Sequence, residues 1–268
     1  MIFTNLIQTN LRTRRFGKEI EYYQRLGSTN LEAWNLIENN EASHGMIVIT
    51  DNQFQGKGRN GNSWFMSPSK GLALSLVMLE PLSLKKAELI SIAAGVAVAK
   101  ALKNRGGEPQ LKWPNDILLG NKKCGGILCE SRISSQTVNS MLIGIGLNIN
   151  ETENDFPEKL SQSATSLSIE TQHSNQRELV CAMVLTFFER LLDDLDSVTN
   201  EWTNYCAHLN EITSFNHNGV TQHGLFKGIN NRGQAQIEIE EEVQFCLLYT
   251  SDAADEGLGV DLGGRRII

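Results

Sequence analysis

Hydrophobic positions along the chain follow two periods. Gly45 to Asp51 is a short β-branched run that closes on polar residues, and Leu72 to Leu79 alternates, so both read as strands. A polar, glycine-punctuated loop separates them. From about Leu84 to Asn104 the period lengthens, with Ile90, Ala93, Ala94, Ala97 and Leu102 forming an apolar stripe at helical spacing. Ser83 is placed to cap that helix and Arg105-Gly106-Gly107 to end it. Ile117 to Leu119, the Gly120-Asn121 turn and Lys123 to Glu130 read as a β-hairpin, with Met141 to Asn148 a further strand of the same sheet. Asn175 to Leu195 reads as a second amphipathic helix, with Leu179, Met183, Phe187, Leu191 and Leu195 at every fourth position, expected to pack on the sheet.

After Trp202 and Tyr205 the pattern changes. Ile212 to Ile239 carries short alternating runs broken by Asn218-Gly219 and Asn231-Arg232-Gly233, which predicts a small all-β module beginning near residue 211. Leu247 to Glu256 resembles the peptide obtained when sequencing-adapter DNA is translated, so 247–268 is expected to be a non-native, poorly ordered tail. The expected organisation is therefore a mixed α+β (α/β) unit over 1–211, a β-module over 212–246, and the tail.

Composition narrows the function classes. A chain of 268 residues, 40% of them hydrophobic, can bury a substantial core. No apolar run approaches the roughly 20 residues of a bilayer crossing, and Met1 to Gly17 lacks the apolar stretch of a secretory signal, so a cytoplasmic location is expected. The five cysteines are scattered without zinc or disulfide spacing, and the five histidines show no ligand spacing. A net charge of −7 argues against broad nucleic-acid binding and leaves any anionic ligand to be met locally.

Two segments carry candidate chemistry. Gln53 to Trp64 interleaves Gly56, Gly58 and Gly61 with Lys57 and Arg59, so backbone N–H groups and cations could both approach an anion. A solvated connection between strands would read the same way, and the phosphate-loop template is not met. Lys112-Trp113-Pro114-Asn115-Asp116 packs a cation, an aromatic, a rigid proline, an amide and a carboxylate between two strands. Pro114 removes a ladder hydrogen bond, Asn115 could pair with an adenine edge, and Asp116 could hold a divalent cation through oxygen.

Gly27-Ser-Thr-Asn30, the Gln53 to Trp64 loop, Lys112 to Asp116, Lys122 to Glu130 and Gly144 to Asn150 together resemble, in order and spacing, the biotin–protein ligases over residues 20 to about 245. The resemblance implies the mixed sheet flanked by helices of the biotin/lipoate ligase fold, followed by a small β-barrel of the Src-homology-3 type. It implies ATP-dependent activation of biotin to biotinyl-AMP, with Mg²⁺, and protein biotinylation at a lysine of a biotin carboxyl carrier protein. Lys123, Arg59 and Lys112 are then expected to act on the reacting groups. Ser28, Thr29, Asn30, Gln53, Lys57, Gly58, Arg59, Lys123 and Gly126 would surround biotin. Gly56, Lys57, Arg59, Trp64, Lys112, Asn115 and Asp116 would serve the nucleotide, and Asp116 the metal.

Ser28 to Asn30 also suits a helix cap, and both roles can coexist. Where many members have a second arginine in the loop this chain has Asn62, and the expected last barrel strand is displaced by Cys246 to Glu256. A lipoate or octanoate ligase or transferase shares the expected fold and is the nearest rival. A biotin-responsive repressor is disfavoured, because about 20 residues precede the ligase region, too few for a DNA-binding unit. The enzyme is expected as a monomer or homodimer, binding neither nucleic acid nor membrane.

Overall fold

The computed structural model describes residues 1–135, 137–217, 220–239, 242–246 and 266–267. The Asn218-Gly219 turn and nearly all of the 247–268 tail lie outside the described residues. The first half of the chain forms α1 (Thr4–Asn10), β1 (Ile20–Tyr23), α2 (Thr29–Glu38), β2 (Ile47–Thr50), the short β3 (Gly56–Lys57) and β4 (Ser63–Trp64), β5 (Leu72–Met78), β6 (Leu82–Ser83) and α3 (Leu84–Asn104). Next come β7 (Pro109–Lys112), β8 (Asp116–Leu119), β9 (Lys122–Ser134), β10 (Thr137–Leu147), α4 (Leu167–Thr171), α5 (Arg177–Leu192) and α6 (Val198–Thr203). A second sheet contains β11 (Ile212–His217), β12 (Val220–Ile229), β13 (Ala235–Ile239) and β14 (Glu242–Cys246).

The larger sheet has the order β1-β2-β5-β10-β9-β8-β7, with β6 and a two-residue strand β15 (Arg266–Ile267) pairing β10 and β9 at the sides. It is mixed: β1 and β2 run parallel, while β5, β10, β9, β8 and β7 follow as antiparallel neighbours. The Gly120-Asn121 turn closes the β8–β9 hairpin with φ of 54° and 62°, the paired positive values of a type I′ connection. Residues 205–207 lie along β7, with Leu111 N–H donating to the Tyr205 carbonyl at 2.7 Å. That contact satisfies what would be a free sheet edge.

Helices cover both faces. α2 packs Ala33 and Trp34 onto Val48, Val77 and Leu142, while α3 covers the opposite face, where Gly95 approaches Leu111 and Ile127. Every residue of β5 is therefore buried, and its alternation distinguishes two covered faces rather than inside from outside. α3 begins as expected, Ser83 Oγ accepting the Lys86 N–H at 3.4 Å, and is buried all round from Ala87 to Ala99.

Helix α5 differs from the expectation. It packs on α3 and α1 rather than on the sheet. Because α3 already occupies that face, α5 forms an outer layer. Its most buried side chains are Val180, Cys181, Val184, Leu185 and Phe188, with Leu179, Met183 and Phe187 half-buried. Its carboxylates hold the N-terminal segment, Glu178 accepting the Phe3 N–H at 3.0 Å and Glu189 those of Arg15 and Phe16 at 2.9 and 3.1 Å. Among the described residues no helix is long and apolar enough to cross a membrane.

The second sheet is an antiparallel meander, β11-β12-β13-β14, set against the end of α3 and the β7–β8 turn. Trp113 Nε1 donates to the Gly233 carbonyl at 3.1 Å, and the Arg232 guanidinium meets both carboxylate oxygens of buried Glu88 at 2.7 and 2.5 Å. Phe226 lies against His208 at an interplanar tilt of 40°, with ring centroids 4.1 Å apart. Burial, and the charge of Lys112, lower the His208 pKa to about 4, so its imidazole is neutral in this apolar joint.

Candidate functional site

Cross-strand register assembles the site. Lys112 pairs with Asp116, Asp116 with Gly126 and Gly126 with Gly146, so these four residues form one row on the face that α2 covers further along. Two glycines of β10 admit side chains from elsewhere. A Cβ on Gly144 would lie 2.5 Å from Asn30 Oδ1, and one on Gly146 2.6 Å from the Trp64 ring. At Gly126 a Cβ would meet the Lys123 stem at 3.7 Å and the Asn115 carbonyl at 3.9 Å, ordinary contact distances with no clash.

Lys123 reaches this face through a register shift. Ile117 pairs with Gly125 but Leu118 with Lys123, so Cys124 is an extra residue, and its thiol turns inward to the Asn148 carbonyl at 3.3 Å. Strict alternation would have sent Lys123 to the α3 side. The backbone of Lys123 is pinned by the Ser163 carbonyl at 2.8 Å and the Thr165 N–H at 3.0 Å. Its Nζ lies 2.5 Å from Asp116 Oδ1, and both side chains are partly open to solvent.

Asn115 clamps the turn to β9. Its Nδ2 donates to the Ile127 carbonyl at 2.8 Å and its own carbonyl accepts the Ile127 N–H at 3.0 Å, which leaves Oδ1 as the atom available to a ligand. The peptide between Trp113 and Pro114 is cis. Lys112 and Lys57 are exposed at the rim.

The loop after β2 is a small hairpin, β3 pairing β4. Asn60 and Gly61 take left-handed conformations at φ 54° and 73°. Asn62, standing where a second cation was expected, closes the turn: its carbonyl accepts the Gly58 N–H at 2.7 Å and its Nδ2 donates to the Arg59 carbonyl at 2.9 Å. Arg59 is half-buried; desolvation lowers its pKa, while the field of Asp116, on the floor of the site, works in the opposite direction. Gly56 is packed against the Gln53 amide and the Trp64 carbonyl, where any side chain would clash at 2.7 Å. Trp64 Nε1 is buried with no hydrogen-bond partner among the described residues.

On the other side, Ser28 caps α2, its Oγ accepting the Leu31 N–H at 3.4 Å. Thr29 and Gln53 are joined, the Thr29 N–H donating to Gln53 Oε1 at 2.9 Å, and Ser75 contacts both Thr29 and Asn30. The structure thus gathers Ser28, Thr29, Asn30 and Gln53 in one hydrogen-bonded group. Gly126, Lys123, Asp116 and Asn115 form another, with the Gly56 to Trp64 hairpin over β10. Sequence reasoning did not single out Ser75 or Glu130, and it read Asn148 as a strand-end polar residue without a catalytic role. Asn148 Oδ1 is buried without a partner among the described residues, and its Nδ2 bonds the Thr165 carbonyl at 2.9 Å. Period-two patterning from Gly144 and Gly146 was the available signal for Asn148.

Among the described residues no group of His, Cys, Asp and Glu side chains is built to hold a metal by itself. A single carboxylate, Asp116, suits Mg²⁺ that arrives with phosphate oxygens and water as its other ligands.

At the root of the loop, Glu151 is fully buried beside Gly71, and neither carboxylate oxygen has a hydrogen-bond partner among the described residues. Burial lifts its pKa from 4.5 to about 7, its own backbone N–H and those of Ile149 and Ser67 nearby only moderating the rise. Unfolded chain ionises near 4.5 while the fold still holds the proton, so stability falls as pH rises from 4.5 to about 7 and stays reduced above. Glu151→Gln is expected to recover roughly 3 kcal/mol above pH 7 and nothing near pH 4. Thermal melts at the two pH values check this, and equal shifts at both would contradict it.

Residues 22–148 match the biotin/lipoate A/B protein ligase family. The bifunctional ligase/repressor BirA of Bacillus subtilis is 31% identical over 252 residues, spanning 92% of this chain and 77% of that protein. The biotin–[acetyl-CoA-carboxylase] ligase of Paracoccus denitrificans is 31% identical over 218 residues, 78% of this chain and 90% of its own length. In three dimensions the chain is similar to the biotin protein ligase of Aquifex aeolicus solved with biotin and ATP. The TM-score is 0.71 and the identity 26%, covering 86% of this chain and 96% of that one.

Proposed function

Since the chain belongs to the biotin–protein ligases, we propose that its site joins biotin to ATP and then passes the biotinyl group to a lysine of a biotin carboxyl carrier protein. The observation that carries this reading is the glycine floor of Gly126 and Gly146, bordered by the Lys123–Asp116 pair and overlaid by Trp64 of the Gln53 to Trp64 hairpin. One side of that floor offers cations and one carboxylate; the other offers neutral, buried hydrogen-bonding groups.

In the first step a carboxylate oxygen of biotin attacks the α-phosphorus of ATP, and the bond to pyrophosphate breaks. Two anions must meet, so the barrier is mainly one of placement and charge. Lys123 Nζ would leave Asp116 to hold the attacking carboxylate and then the carbonyl oxygen of the mixed anhydride. Arg59 would close over the carboxylate and α-phosphate, with Lys57, Gly56 and Gly58 on the same hairpin, and Lys112 would meet phosphate oxygens. Asn115 Oδ1 would accept from the adenine amino group, and Trp64 would cover the base. Asp116 would hold Mg²⁺, which supplies charge neutralisation on the phosphates.

In the second step the acceptor lysine amine attacks the biotinyl carbonyl, AMP leaves, and an amide forms. Ser28, Thr29, Asn30 and Gln53 would surround the ring system of biotin and hold it through both steps. We assign the protein to the cytoplasm, where ATP and carboxylase carrier domains are found. Incubation with Mg-ATP, a carrier domain and either biotin or lipoate, read by intact mass, tests the function. A carrier gaining the biotinyl mass is expected; lipoylation alone, or no modification, would overturn it.

A further inference from the structure

Residues 65–71 return the chain from β4 to β5 and so hold the outgoing end of the hairpin that carries Trp64. This return rests on the continuation of β10. The Asn150 N–H donates to the Lys70 carbonyl at 3.2 Å, Lys70 Nζ pairs with Asp155 at 2.5 Å, and the Phe65 and Phe156 rings lie 6.3 Å apart. Between the two layers sits Glu151, fully buried. A Cβ on Gly71 would lie 2.7 Å from Glu151 Oε1 and 2.8 Å from Met66 Cγ, so the carboxyl group is wedged directly against the return.

The surroundings oppose a charge there. Neither carboxyl oxygen has a hydrogen-bond partner among the described residues, and the Asp155 carboxylate disfavours a second negative charge. The Cys124 thiol of β9, which feels both Glu151 and Glu170 of α4, is pushed up by its own burial and stays neutral. The cations beside the return are engaged elsewhere: Lys70 with Asp155, and Arg177 of α5 with Asp51, its Nη1 holding the Gly71 carbonyl at 3.2 Å. An ionised Glu151 must therefore be hydrated. Packing decides which side opens. The Glu151 carbonyl accepts the Ser166 hydroxyl at 2.6 Å, and the Asn148 N–H donates to the Cys124 carbonyl at 2.7 Å, so the β10 side is fixed. On the other side Pro68 and Ser69 are exposed, and the return is the layer that yields to water.

We propose that Glu151 in its neutral form is a positioning residue that seats this return, and that its ionisation loosens residues 65–71 and, through them, the cover that Trp64 lays over the nucleotide. The link to the return rests on geometry, and the link to the nucleotide rests on the ligase reading above. Glu151→Gln keeps the neutral shape at every pH.

Hydrogen–deuterium exchange by mass spectrometry at pH 6 and pH 8.5, corrected for intrinsic exchange, tests the first link. In the parent, 65–71 is expected to lose at least about three-fold in protection at the higher pH, and in Glu151→Gln that loss should vanish. Low urea hardly speeds a local opening but speeds global unfolding, so a repeat in urea separates the two. An unchanged return, the same loss in Glu151→Gln, or a loss that appears only through urea-sensitive unfolding overturns the assignment. The parent alone decides the first and last of these if the variant does not fold. Calorimetry with biotinol-adenylate, a stable biotinyl-AMP analogue with no group titrating between these pH values, tests the second link. Parent affinity should fall by a factor between about three and about 30, the upper figure being the fall in the neutral fraction of a group that ionises near pH 7, against a flat profile in Glu151→Gln. Parallel profiles in the two proteins overturn the effect on the site. A parent that binds no biotinol-adenylate at either pH overturns the ligase reading instead, while exchange still judges the seating of the return.

Discussion

Lys123→Ala is expected to abolish formation of the acyl-adenylate, lowering its rate by a factor on the order of 10²–10³ while the protein stays folded. Lys123 is the cation that the Cys124 bulge delivers to the Gly126 floor, on a backbone pinned by the Ser163 carbonyl and the Thr165 N–H. Its removal leaves Asp116 unpaired, yet that side chain is 29% exposed and water can solvate it, so the stability cost is small. Pyrophosphate release with biotin and Mg-ATP, measured without acceptor, isolates the first step. A variant that makes biotinyl-AMP at the parent rate would remove Lys123 from the mechanism. Lys123→Arg retains charge but cannot place a single compact ammonium at the same point, so a strong loss is expected there too.

Arg177→Met is expected to cost 3–5 kcal/mol of stability, on the order measured when one partner of a buried ion pair is removed. Arg177 Nη2 sits 2.8 Å from Asp51 Oδ1, with side-chain exposures of only 7% and 4%, and Nη1 donates to the Gly71 carbonyl at 3.2 Å. Burial alone would raise the Asp51 pKa, but hydrogen bonds from Tyr22 and Arg177, the charge of Arg177 and the Ile2 N–H together bring it below the ordinary range. A depressed carboxylate contributes stability above its unfolded pKa and loses it as pH falls through the folded value. The Asp51 contribution is therefore lost in strong acid, below the range over which Glu151 works in the opposite sense, and Arg177→Met should lose less there because much of the linkage has gone. Urea denaturation from pH 7 down to pH 3 measures both effects. Adding Asp51→Asn should restore part of the loss at pH 7, whereas a single-variant cost below about 1 kcal/mol would show that water reaches the pair.

Asp51 shows how far the sequence could be read. As the polar end of the Gly45 to Asp51 run it was legible as a strand terminus, but its partner lies 126 positions away in α5. Nothing in local periodicity connects the two. Glu130 is a similar case: its place at the end of the Lys122 to Glu130 motif was visible, while its grip on Asn30 and Trp34 depends on how α2 lies across the sheet. Asn62 looked like a missing cation and proves to close the turn that shapes Arg59.

Local sequence determined much of the architecture. Ser83 and Arg105 bound a helix because capping is a near-neighbour interaction, and Gly120-Asn121 forced a tight hairpin because few residues accept paired positive φ. The chemical residues, too, were identifiable, since the cations, the glycines and the Lys112 to Asp116 cluster are unusual at the level of composition. What tertiary structure alone decided is which of them face one another. Period two would put Lys123 on the wrong side of β9, and only a bulge against β8 corrects it. The helical stripe of α5 fits more than one partner, and α3 had already claimed the sheet. Register and layer order come from long-range packing, because a one-residue slip or a different neighbour leaves local pattern unchanged while moving every side chain to another environment.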